Sequence, residues 1–108
     1  MMVHIKMIHW ALDVAERNLE EAAKYVKKAH GLKLQYKPAA DWCMEMAKKH
    51  LEFNERAAAM LDQLCKELHE VGGSSELWQA MKAAVHEKRE KLAEETAEVK
   101  AKMMMYEK

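Results

Sequence analysis

The sequence predicts an all-α protein: an antiparallel up-down-up bundle of three long helices, forming a single helical-bundle domain over residues 1–108. Three observations carry that prediction. Ala, Glu, Lys, Leu and Met dominate, while proline occurs once and glycine three times, a mix that favours helix. Apolar residues recur at alternating steps of three and four over long stretches. Gly31 and the run Gly72-Gly73-Ser74-Ser75 fall where those stretches stop. With 108 residues, half of them of hydrophobic type, the chain has room for one core and no second domain.

The first helix is expected over about 2–30. Ile5, Ile8, Leu12, Ala15, Leu19, Ala22, Val26 and Ala29 form a heptad stripe. Gly31 is then placed to take the left-handed position after a helix, with Leu32 folding back on the last turn. A polar connection, Lys33 to Lys37, leads to Pro38, which suits a first turn because its missing N–H has no intrahelical partner there. Asp41 is expected to favour the same terminus through the helix dipole.

The second helix is expected over about 38–71. Cys43, Met46, His50, Phe53, Ala57, Met60 and Leu64 repeat the seam, flanked by Ala47, Leu51, Leu61, Cys65 and Leu68. So wide an apolar face places this helix in the middle of the assembly. Gly72-Gly73 ends it, and Ser74 or Ser75 caps the third helix, expected over about 75–106. That helix begins with Leu77, Trp78, Met81, Ala84 and Val85. Between His86 and Glu98 only Leu92, Ala93 and Ala97 are apolar, so its second half is expected to be partly exposed, frayed, or packed against another chain. Acid-to-base pairs four residues apart, such as Glu52/Arg56 and Asp62/Lys66, support helix at ~0.3 kcal/mol each.

Lysine plus arginine equals aspartate plus glutamate at 18 each, so no overall charge draws in nucleic acid or an anionic membrane. No stretch reaches the ~18 apolar residues of a membrane span, and His4, Lys6 and His9 interrupt any signal-peptide layout. A cytoplasmic, intracellular protein is the expectation. Cys43 and Cys65 suit it, because a continuous helix holds them ~33 Å apart, too far to pair.

Several groups are candidates for chemistry. Cys65 and His69, four apart, face one way on a helix, and an up-down-up bundle brings His9 or His4 of the first helix to similar height, a candidate metal or haem site. Against it, there is no HExxH, CxxC or Glu-x-x-His pair, and the plainer reading is a buried thiol beside a half-exposed histidine. His50 reads as a core histidine. Lys24, Lys27, Lys28, Lys33, Lys37, Lys48 and Lys49 make one end basic, a surface for an acidic partner. Almost no arginine accompanies them, so specific nucleic-acid readout is not expected. Ten methionines include Met103, Met104 and Met105, which read as an adaptable contact face or a greasy tail. Trp10, Trp42 and Trp78 read as core anchors.

No Gly-rich phosphate loop, nucleophile elbow or convincing carboxylate pair is present, so neither catalysis nor a cofactor is expected. The functional expectation is a non-catalytic interaction protein, for example a small bacterial or phage accessory or inhibitor. It would bind another protein, or a second copy of itself, through the wide face of helix two and the under-filled half of helix three. A metal- or haem-binding bundle and a weak binder of nucleic acid or acidic protein through the lysine end are the alternatives. Capped ends and heptads also suit a designed bundle; the methionines, free cysteines and irregular first loop favour a natural one.

Overall fold

In the computed structural model, which describes residues 2–72 and 75–108, the chain forms α1 (Met2–Leu32), α2 (Lys37–Gly72) and α3 (Glu76–Glu107), with no strand among the described residues. The bundle is a rod of 57 × 19 × 14 Å. No helix is long and apolar enough to cross a membrane among the described residues.

The stripe read from α1 is buried at every one of its positions, and Ala11 joins it. Small residues explain the close approach of α2: Ala22 and Ala29 share a cluster with Ala40 and Ala47, and side chains this short let two backbones come together. α1 also carries α3, whereas α2 and α3 scarcely approach each other. The middle helix is therefore α1, not α2 as the width of the apolar face suggests.

The ends that meet are fixed by polar contacts. His30 Nε2 donates to the Lys102 carbonyl at 2.9 Å, and the Tyr106 hydroxyl donates to Asp41 at 2.7 Å. The Lys33 ammonium donates to the Tyr106 carbonyl and lies 4.6 Å from the centre of that ring, a cation where the α3 dipole favours one. At the far end Ile5, Ile8, Leu64, Leu68 and Trp78 form one cluster. Consecutive helices thus run in opposite directions.

Gly31 stays helical and no described glycine has a positive φ. α1 continues to Leu32, which packs on the core and whose carbonyl accepts from Gln35 and Tyr36. A helix tolerates glycine for about 1 kcal/mol, which the docking of Leu32 offsets. Pro38 does lie in the first turn of α2, but Asp41 lies beyond it and is bound by Lys37 and Tyr106. Of the two capping candidates, Ser75 caps α3, accepting from Trp78 N at 3.4 Å; Ser74, like Gly73, lies outside the described residues.

α2 departs most from its reading. The buried line runs Ala40, Cys43, Met44, Ala47, Leu51, Asn54, Ala57, Leu61, Leu64, Leu68. Met46 and His50 are half-buried, and Phe53 and Met60 are exposed. Its seam passes through a polar residue, Asn54, only 3% exposed, whose Nδ2 donates to Thr96 Oγ1 at 3.0 Å.

α3 buries Trp78, Val85, Val99, Met103 and Tyr106, with Leu92 packed beside them. Its second half is therefore docked rather than frayed. Trp78, Val85, Leu92, Val99 and Tyr106 stand seven apart, a single-residue seam along α1. The intervening seam positions include Arg89 and Thr96, whose polar atoms find Asp62 and Asn54 on α2.

Candidate functional site

Three surfaces come into question: the flank of α2 toward α3, the lysine-rich end, and the flank of α1 and α2 away from α3. Toward α3, polar pairs span the gap: Lys48 with Glu107 at 3.2 Å, Glu55 with Lys100 at 2.7 Å, Asp62 with Arg89 at 3.3 Å and the Asn54–Thr96 bond. Beside this ladder runs an open groove of about 810 Å³ that both Cys65 and His69 line, with Trp78, Val85, His86 and Arg89. His9 is exposed elsewhere on α1 and does not line it; His4 pairs with Glu67 at 3.4 Å. Among the described residues no three His, Cys, Asp or Glu groups come together to hold a metal. Burial pushes the Cys65 thiol above its ordinary value, which opposes the thiolate a metal needs. Asp62 is held below the usual carboxylate range by Lys66 first and Arg89 second.

The lysine end is largely engaged inside the chain. Lys24 pairs with Glu21, Lys37 with Asp41 and Lys48 with Glu107, while Lys33 holds the end of α3. Only Lys27, Lys28 and Lys49 of the seven are exposed without such a partner among the described residues. Met103 is buried, which removes it from any contact face; Met104 and Met105 are 65% and 66% exposed.

The third surface was not singled out from the sequence as a unit. On the flank of α1 and α2 away from α3, Trp10 is 58% exposed, Trp42 54%, Phe53 49% and Met60 43%. Trp10, Val14, Phe53, Ala57 and Met60 together line a shallow groove of about 300 Å³. The strip continues past a polar bridge in which His50 Nδ1 donates to Asn18 Oδ1 at 2.9 Å. Beyond it Tyr25 stacks on His50 with ring centres 5.6 Å apart, and Trp42 meets Tyr25 edge-on at 6.0 Å. Phe53 closes on the other side of His50 at 6.4 Å.

Two of the three tryptophans are thus not core anchors; Trp78 alone is buried, at 3%. Their signal lay in a second heptad beside the first. Met7, Trp10 and Val14 on α1, and Trp42, Met46, Phe53 and Met60 on α2, keep steps of three, four or seven, one position off the buried lines. A helix with one neighbour fewer than its stripes has an uncovered stripe.

A chain with this fold and these surfaces belongs to the class of small all-α bundles. It matches no protein-family model, no curated protein and no solved structure.

Proposed function

We propose that the protein is a non-catalytic protein-binding module that works by docking the strip formed by Trp10, Val14, Tyr25, Trp42, Phe53 and Met60. The observation that carries this reading is the exposure of four large apolar side chains in a row on one flank. Each leaves roughly half of its area in water, on the order of 100 Å². The strip then amounts to on the order of 400 Å², the size of the largest apolar patch on an ordinary monomer, a patch that is often functional. Aromatic residues and methionine are also the types that carry binding energy at the centre of interfaces. The lysine end and the Cys65–His69 pair support no rival of equal weight, since the first is mostly paired and the second has no third ligand among the described residues.

The test is affinity capture from cells that make the chain, run with the native protein and with a Trp10→Glu/Phe53→Glu protein shown by circular dichroism to remain helical. The reading expects a protein retained by the first and lost from the second. An identical set retained by both would contradict it.

A further inference from the structure

Building on the docking reading of the same strip, we infer that its occupant is a second copy of this chain, related by a two-fold axis running along the helices, so that α1 and α2 of both copies form a four-helix core with the two α3 helices outside.

Heights along the rod come from contacts across the α1–α2 pair. Asn18 is level with His50, Tyr25 with Trp42, and His4 with Glu67. A rotation about an axis along the helices leaves every residue at its own height and sets α1 of one copy against α2 of the other. Trp10 then meets Ala57 and Met60 of the second copy, and Tyr25 meets its Met46 and Trp42. Apolar residues lie against apolar residues at both ends, and every helix of the core has antiparallel neighbours, the geometry of an ordinary four-helix bundle. The alternative axis, across the helices, sets the Trp10 half of α1 against the half that carries Lys24 and Lys28.

The rim of the strip argues for a copy over a stranger. Charges of both signs stand beside and between its apolar residues: Arg17, Glu21 and Lys24 on α1, and Lys49, Glu52 and Arg56 on α2, Arg56 lining the groove itself. A strongly acidic or strongly basic partner would meet like charges somewhere along it. In the two-fold arrangement Glu21 of each copy stands level with Lys49 of the other, and Arg17 with Glu52. Lys49 is exposed with no acid of its own chain on it among the described residues. The chain has no net charge, so two copies do not repel. A stable symmetric interface takes about 800 Å² from each copy; the exposed apolar side chains supply on the order of 400 Å² of that, and the remainder falls to the half-buried Val14, Tyr25, Met46 and His50 and the charged residues beside them.

The test is sedimentation equilibrium from low micromolar to ~1 mM on the native chain, a Glu21→Lys chain and a Lys49→Glu chain, each checked for native helicity. The native chain is expected at twice its 12.5 kDa mass. Each variant alone opposes like charges at two places and is expected to associate about tenfold more weakly. The two variants mixed restore both opposite-sign pairs and are expected to associate as the native chain does. A native chain that stays monomeric overturns the inference, while capture of another protein on the same strip would leave the docking reading intact. A dimer indifferent to both variants also overturns it, because its interface would then lie elsewhere.

Discussion

The two flanks of α2 are built on opposite rules. The flank toward α3 is polar, and its groups are answered inside the chain by Glu107, Lys100, Thr96 and Arg89. The flank away from α3 is apolar, and Trp42, Phe53 and Met60 stand 54%, 49% and 43% exposed on it. Polar groups that pair across a gap hold two helices in register without drawing them tightly together, because desolvation offsets most of the gain. Apolar groups gain only when covered, at roughly 25 cal/mol per Å². The first flank is complete in one molecule, and the second leaves its large apolar side chains about half in water.

The comparison breaks most visibly at the core that both flanks share. Ile8→Ala or Leu61→Ala, each removing a side chain at most 1% exposed, is expected to cost about 2–5 kcal/mol in urea unfolding. Phe53→Ala, measured where the chain is monomeric, is expected to cost less than about 1 kcal/mol. Equal losses from the two would mean that the strip is already covered within the chain.

The polar flank gives a smaller effect of defined cause. Asn54→Ala leaves the Thr96 hydroxyl, which donates to the Leu92 carbonyl at 2.7 Å, without the donor it accepts from. A loss of about 1–3 kcal/mol is expected. Asn54→Leu removes the same bond but fills the seam, so it should recover part of that loss; if it fell further than alanine, the seam would be set by the hydrogen bond rather than by volume.

The smallest effects are those of pH. Asp41, held low by Lys37 and then by Tyr106, and Asp62, held low by Lys66 and then by Arg89, have folded pKa values below the ordinary 3.8. The unfolded chain binds those protons more tightly, so their contribution is present above about pH 4 and is lost as the pH falls through the folded values. An Asp41→Asn/Asp62→Asn chain should show a flatter acid limb. The Tyr106 hydroxyl, donating to Asp41 and buried, is pushed up to about 12. Its contribution is present below about pH 10 and is lost as the pH rises toward 12, and Tyr106→Phe should flatten that alkaline limb.

α1 was legible residue by residue, because its stripe is apolar throughout and packs against both neighbours. α2 was legible as a helix but not in phase. Counting apolar residues put Phe53 and Met60 in the seam, whereas the true line runs through Asn54, whose burial depends on a Thr96 that lies 42 residues away. α3 hid its seam in the same way: Arg89 and Thr96 occupy positions where an apolar residue would have announced it, and their partners stand on another helix. The candidate site was half legible. An excess of apolar surface on α2 was readable from composition, but the share of it left in water follows from where α3 sits, and α3 leans on α1.

The claim that the Trp10–Trp42 flank is a docking surface is tested most directly by acrylamide quenching of chains with one tryptophan each. Trp10 alone, after Trp42→Phe and Trp78→Phe, is expected to be readily quenched at low concentration and protected as the concentration rises or a captured partner is added. Trp78 alone, after Trp10→Phe and Trp42→Phe, is expected to be shielded throughout. A Trp10 that stays fully open to quencher under every one of those conditions would contradict the account.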